Sequence, residues 1–302
     1  MKEQTIAALR AAGLDPDDTE VAVMRALGED FRYGPDVTSA ATAGPEASVA
    51  GTVVARAGGV VAGLPVAAAI ADLARSAGYI AGTVDLVALR GDGDRIGPGD
   101  AVLAVSGPAM AVLGTERTML NFLTHLSGIA STTRAWVDAI EGTGAVIRDT
   151  RKTTPGLRLL EKYAVRCGGG VNHRMGLGDA ALIKDNHVAA AGGVATAIAA
   201  VAAHAPEVPL EVECDTLAEV RESLEAGARF ILLDNMSSDE LRTAVAEARR
   251  YPGVHLEASG GLRLQTARAV AQTGVDYLAV GALTHSSPAL DLGLDLVLAF
   301  TV

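Results

Sequence analysis

Two cysteines in 302 residues, Cys167 and Cys214, form no CxxC pair, which leaves no basis for a disulfide framework or a zinc ribbon. The six histidines show no metal-ligand spacing, and no nucleophile elbow is present. Aromatic residues make up only 3% of the chain against 49% apolar residues, so the core must be built from Ala, Val, Leu and Ile. No apolar run reaches the roughly 18–20 residues of a membrane span. The nearest, Val188–Ala203, carries Gly192 and Gly193 and reads as one alanine-rich helix. The N-terminus has acids and no small-residue cleavage site after an apolar region, so no signal peptide is expected. A cytoplasmic protein without a membrane partner is the expectation.

Lysine is also scarce: four residues, Lys2, Lys152, Lys162 and Lys184, among 25 Lys and Arg. Three of the four fall in one stretch, Ile147–Val188. That stretch holds eight basic residues (Arg148, Arg151, Lys152, Arg158, Lys162, Arg166, Arg174, Lys184) and four acids (Asp149, Glu161, Asp179, Asp185), +4 in a chain of net charge −11. The other 260 residues therefore carry −15. A concentrated cationic island in an acidic molecule suits a small polyanion, whereas nucleic acid would call for a long basic stripe. Lys is a compact point charge and Arg a planar fork. An Arg-favouring chain that keeps Lys152 and Lys184 points to ammonium groups facing phosphate or serving catalysis. Lys162 sits in a helical pattern and is expected at the surface.

The first third reads as a small α+β domain. Helical patterns cover Thr5–Ala12, Thr19–Leu27 and Pro65–Ala77, and strands cover Ser48–Ala57, Val84–Leu89 and Ala101–Ser106. Thr115–Ile140 is helical, with Gly128 as a candidate break and Arg117 in its first turn, where a cation opposes the helix dipole. From Ala145 onward short apolar runs alternate with helical segments: Ala145–Asp149, Ala181–Lys184, Leu210–Glu213, Phe230–Asp234, Val254–Ala258 and Asp276–Val280. This alternation specifies a parallel sheet, open or closed. The runs end in polar residues, the signature of an α/β barrel whose chemistry gathers at the C-terminal strand ends.

Three constellations follow. Glu211 and Glu213 share one face of a strand, and Asp234 ends the next. Glu213 and Asp234 suit Mg²⁺ held partly by substrate phosphate, or sugar hydroxyls, while Glu211 could instead sit in a buried ion pair inside the barrel. Ser259-Gly260-Gly261 and Gly281 to His285 follow the last two strands, where barrels commonly hold a phosphate on bare backbone N–H groups. Asn172-His173-Arg174 follows the run Gly168–Gly170 and suits a planar carboxylate.

Together the motifs TERTMLNFLTHLSGIAS, RDTRKTTPGLR, EKYAVRCGGGVNHRMGLGDAALIKDNH, EVECDT, ILLDNM, EASGGL and GVDYLAVGALTHS resemble the quinolinate phosphoribosyltransferases, the carboxylating nicotinate-nucleotide pyrophosphorylases. They span Thr115–Ser286. RYGPDVTS resembles the family's N-terminal Gly-Asp-(Ile/Leu)-Thr stretch, with Pro35 inserted as a departure. The resemblance implies an N-terminal α/β sandwich domain (1–114, joined by the tail 288–302) and an open α/β barrel of fewer than eight strands (115–287). It also implies a homodimer with shared active sites, leaving open whether dimers form hexamers. The substrates it implies are quinolinate and phosphoribosyl pyrophosphate. Arg117 of a partner copy, with Arg151, His173, Arg174 and Lys184, would then bind the carboxylates. Lys152 and Lys184 would face the pyrophosphate. Glu213 and Asp234 would serve the ribose and Mg²⁺, and Ser259, Gly260, Gly281 and His285 the 5′-phosphate. Lys152, Lys184, Glu213 and Asp234 are the catalytic candidates. A paralogue acting on another aromatic acid, a Schiff-base aldolase using Lys184 and a non-enzymatic sensor of phosphoribosyl pyrophosphate are the rival readings.

Overall fold

The computed structural model describes residues 1–44 and 46–298, so the end of the expected tail, 299–302, lies outside the described residues. In chain order the elements are α1 (Glu3–Ala11), α2 (Pro16–Phe31), α3 (Val37–Thr42), β1 (Ser48–Ala55), β2 (Gly59–Val60), α4 (Leu64–Ser76), β3 (Asp85–Ala88), β4 (Arg95–Ile96), β5 (Ala101–Pro108) and α5 (Ala109–Ala139). Then come β6 (Val146–Arg148), α6 (Arg158–Cys167), β7 (Ala181–Ile183), α7 (Asp185–Ala191), α8 (Val194–His204), β8 (Leu210–Cys214), α9 (Leu217–Glu225), β9 (Phe230–Asp234), α10 (Ser238–Ala248), β10 (His255–Ser259), α11 (Leu264–Ala271), β11 (Tyr277–Ala279), α12 (Ala282–His285) and β12 (Leu292–Leu298).

These residues form two compact units. The first comprises residues 1–132, 154–169 and the described residues from 286 on; the second comprises 133–153 and 170–285. Residues 115–132 and 154–169 thus pack with the first unit rather than follow the sequence boundary at 114/115. The contacts of α6 give the reason: the fully buried Glu161 carboxylate pairs with His125 Nε2 on α5 at 2.9 Å, and the Tyr163 hydroxyl donates to Asp92. Lys162, expected at the surface, is instead completely buried in this helix.

The first unit carries an antiparallel four-stranded sheet in the order β12-β1-β5-β3. Its helices form where the local chemistry allows. Asp15 caps α2 by accepting from Asp17 N at 2.9 Å, with Pro16 in the first turn, so the helix starts ahead of Thr19. Asp72, buried on α4, accepts from Thr5 Oγ1 at 2.7 Å and Lys2 N at 2.8 Å and fastens α1 to it.

α5 runs 31 residues without a break, and because it begins at Ala109, Arg117 lies well past its first turn. Gly128 does not weaken it; the glycine is required by packing. A Cβ there would sit 2.1 Å from Pro288 O and 3.0 Å from Ala289 Cα.

The second unit holds six parallel strands in the order β6-β11-β10-β9-β8-β7. Consecutive β6 and β7 sit at opposite edges, so the barrel is open between them and has fewer than eight strands, as expected. The sheet curls strongly. In a flat sheet β6 and β8 would stand about 19 Å apart, yet Arg148 Nη1 on β6 reaches Glu211 Oε1 on β8 at 3.9 Å. Capping boxes, Thr216 with Glu219 and Ser237 with Glu240, start α9 and α10. The expected single helix Val188–Ala203 is two, α7 and α8, bent by 89°. Gly192 and Gly193, with φ of +82° and +150°, make the corner. Among the described residues no single helix is long and apolar enough to cross a membrane.

Gly128→Ala offers a sign test of this packing. On an open helix face the change would stabilise by about 1 kcal/mol. Against the Pro288 carbonyl it should destabilise by about 1–3 kcal/mol, read as a lower urea midpoint with an unchanged slope.

Candidate active site

The C-terminal ends of the barrel strands enclose a cleft of about 230 Å³ lined by Thr150, Arg151, Lys152, His173, Arg174, Leu182, Lys184, Glu213, Asp234 and Ser259. Eight of these ten are residues singled out in the sequence; Thr150 and Leu182 are additions. A larger hollow of about 760 Å³ in the first unit, between α2, α5 and the loop Thr154–Leu157, contains none of them.

The cations crowd one another. The Arg174 guanidinium is held below its ordinary pKa, first by burial and then by Arg151. Arg151 and Arg174 each present a buried Nε–H with no hydrogen-bond partner, and such groups are costly unless an acceptor arrives. Arg174 Nη1 donates to Ala180 O at 3.1 Å. The Lys184 ammonium lies on the Glu213 carboxylate.

Lys152, Gly281 and His285 converge. A Cβ on Gly281 would lie 3.0 Å from Lys152 Cδ and 3.5 Å from His285 Nε2, and Thr284 Oγ1 donates to Lys152 O at 2.7 Å. Ser259 ends β10, paired with Asp234 at the end of β9, and Gly260 follows it. There Asn235 takes the left-handed conformation (φ +54°), its N–H donating to Ser259 O at 3.0 Å. Gly260 (φ +83°) leaves no room for a side chain, since its Cβ would fall 2.8 Å from Asn235 N. Arg117 is exposed on α5 in the first unit and does not line the cleft.

Beneath the cleft lies a layer the sequence reading largely missed. Asp149, fully buried, accepts from Asn172 Nδ2 at 2.6 Å and His173 N at 2.7 Å. It thereby bolts the segment carrying Arg174 to the strand end that leads into Arg151 and Lys152. Glu211 Oε2 meets His173 Nε2 at 2.7 Å, and its other oxygen lies 3.9 Å from Arg148 Nη1, the buried ion-pair option for Glu211. Arg148 bridges Glu211 and Glu257 and stacks over the Tyr277 ring at 5.1 Å. Burial and then Glu211 push the Glu257 carboxyl up from its ordinary value. Arg148, Glu211 and Glu257 stand on β6, β8 and β10, the alternate-strand layering of barrel interiors. The available signal was an acid or base at an inward-facing strand position.

Removing the Asp149 carboxylate leaves two inward N–H donors without their acceptor. Asp149→Ala should therefore lower the unfolding free energy by about 2–3 kcal/mol, measured by urea denaturation; an unchanged midpoint would mean Asp149 is not the bolt described.

The family model for the quinolinate phosphoribosyl transferase C-terminal domain matches residues 129–295, and that for the N-terminal domain matches 36–127. A nicotinate-nucleotide pyrophosphorylase [carboxylating] of Mycobacterium leprae is 53% identical over 91% of this chain and 95% of its own. The human protein of that name is 43% identical over 68% of this chain and 70% of its own. The structure of the nicotinate-nucleotide pyrophosphorylase from Francisella tularensis superposes with a TM-score of 0.88 at 34% identity, covering 94% of this chain and 98% of the other. With both of its domain models matched in order and curated relatives aligned along most of its length, the chain belongs to the quinolinate phosphoribosyl transferase family.

Proposed function

We propose that the chain transfers the phosphoribosyl group of phosphoribosyl pyrophosphate to quinolinate with loss of CO₂, giving nicotinate mononucleotide and pyrophosphate. The observation that carries this reading is the cleft's charged lining. Two guanidinium groups with unpartnered buried Nε–H atoms and two lysines line the same cleft as the Glu213 and Asp234 carboxylates of neighbouring strands. A pyridine dicarboxylate and a phosphorylated sugar need both kinds of group at once.

Each residue then has a task. Arg151 and Arg174 take the ring carboxylates as planar forks, joined by Lys184 and by Arg117 of a second copy in a homodimer. Ser259, Gly260, Gly281 and His285 hold the 5′-phosphate. Lys152, against Gly281, faces the pyrophosphate. The pyridine nitrogen bonds to the anomeric carbon as the bond to pyrophosphate breaks. Glu213 and Asp234 offset the positive charge that builds on the ribose, a preorganised electrostatic contribution. The ring is now cationic. The bond from C2 to its carboxylate breaks, CO₂ departs, the electron pair stays on the ring, and C2 takes a proton.

The donor set fits Mg²⁺: hard carboxylate oxygens from Glu213 and Asp234 on adjacent strands. The local field fits as well, since the neighbouring Asp215 carboxyl is pushed up by desolvation and then by Asp234. When bound, the metal would neutralise the pyrophosphate and act as a Lewis acid upon it. A Schiff-base role for Lys184 is disfavoured, because its side chain is 44% exposed and its ammonium is paired with Glu213 rather than desolvated. The substrates are soluble anions, which suits a cytoplasmic enzyme.

Incubation with quinolinate, phosphoribosyl pyrophosphate and Mg²⁺ should release CO₂ and nicotinate mononucleotide in equal amounts. Mononucleotide formed from nicotinate but none from quinolinate would overturn the reading. Lys152→Ala should slow turnover by roughly 10²–10³; near-normal turnover would remove its assigned task. Chelation by EDTA should abolish product formation and added Mg²⁺ restore it, with activity in excess chelator as the contrary result.

A further inference from the structure

His173 lines the cleft beside Arg174, and a histidine there is naturally taken as a second donor to the substrate carboxylates. Its ring contacts argue otherwise. The backbone N–H of Arg174 donates to His173 Nδ1 at 2.7 Å. A backbone N–H can only donate, so Nδ1 must be the unprotonated nitrogen. The single ring proton then sits on Nε2, 2.7 Å from Glu211 Oε2. Both ring nitrogens are committed inside the protein, and the side chain is only 7% exposed.

The same logic bears on a second reading of this cluster. His173, Glu211 and Glu257 bring their polar atoms within 4.8 Å of one another, a spacing that could hold a metal ion. The nitrogen a metal would need, Nε2, carries the proton. The cation of the cluster is already present as Arg148, paired with Glu257 and 3.9 Å from Glu211. An imidazole whose Nε2 carries its proton, beside carboxylates already served by Arg148, is a structural relay and not a ligand set for a divalent ion.

We infer that His173 is a positioning residue and not a ligand of the quinolinate carboxylates. Its ring transmits the fixed position of the buried Glu211 carboxylate to the backbone of Arg174, whose guanidinium takes the substrate. The relay acts in concert with Asp149, which holds the backbone N–H of His173 at 2.7 Å. Glu211 is thereby the outer member of the relay, in contact with no substrate. An orienting group of this kind typically matters by one to two orders of magnitude, because small displacements of a binding group are costly. The inference rests on the quinolinate reading above for its substrate, but its ring geometry does not depend on it.

Two measurements test it. With ¹⁵N-labelled histidine, the ring signals of His173, assigned by their loss in His173→Gln, should report a neutral ring protonated at Nε2. Addition of saturating quinolinate should leave that state unchanged. A ring protonated at Nδ1 or at both nitrogens, free or bound, would overturn the relay. In steady-state assays Glu211→Ala should raise KM for quinolinate on the order of tenfold, with KM for phosphoribosyl pyrophosphate changed far less. Glu211→Gln, which can still accept from Nε2–H, should recover most of the loss. An unchanged quinolinate KM in Glu211→Ala would also overturn the relay. Should Glu211→Ala fail to fold, the ring signals of the wild-type protein decide. Should the wild-type protein neither bind nor turn over quinolinate, the functional reading fails, while the ring state of the free protein still decides the relay.

Discussion

Buried carboxylates must be hydrogen-bonded and balanced by cations, because the protein interior cannot hydrate them. Asp149, Glu211 and Glu257 are all buried under the cleft, and each takes at least one donor from the segments that carry the cleft's cations, with one oxygen of Glu211 and one of Glu257 left without a hydrogen bond. Asp149 takes N–H groups from Asn172 and His173; Glu211 takes the His173 ring; Glu257 takes Arg148. The anionic floor and the cationic walls are therefore one structure. The floor holds the walls in place, and the Glu211 charge works against the burial and the Arg151 charge that lower the Arg174 pKa.

The barrel's curl makes this arrangement possible. Only a sheet bent round on itself lets side chains from β6, β8 and β10 meet, and only parallel strands deliver all their C-terminal ends to one side. The opening between β6 and β7 coincides with an unusual connection. The connection between them includes α6, which packs with the first unit through Glu161 and Tyr163, where an ordinary crossover would lay a helix against the sheet.

Much of this was legible in the residues. Six apolar runs with polar ends fixed the strand count and the side on which Lys184, Glu213 and Asp234 would emerge, since strand ends are local features of pattern. The cationic stretch identified Arg151, Lys152 and Arg174 because charge concentration needs no fold to be seen. Other features were hidden in physical terms. Lys162 looked like a surface residue because helical periodicity says nothing about which neighbour covers a face. Gly128 looked like a helix break because its partner, the Pro288 carbonyl, is 160 positions away in sequence. Arg148 and Asp149 counted as charges of the cationic stretch and Glu257 drew no reading of its own, since their pairing depends on the curl of the sheet. His173 was identified as a site residue, but its ring partners could be seen only with Arg174 N and Glu211 in place.

The central claim is a cleft built for two carboxylates on one ring, held by cations that a buried anionic layer keeps in position. Calorimetric titration with quinolinate and, separately, nicotinate tests it most directly. Saturable binding of quinolinate, with nicotinate weaker by on the order of a hundredfold, is the result the charge arrangement requires, since a lost charge-assisted carboxylate contact costs about 1.5–3 kcal/mol. Equal affinity for the two acids would contradict it.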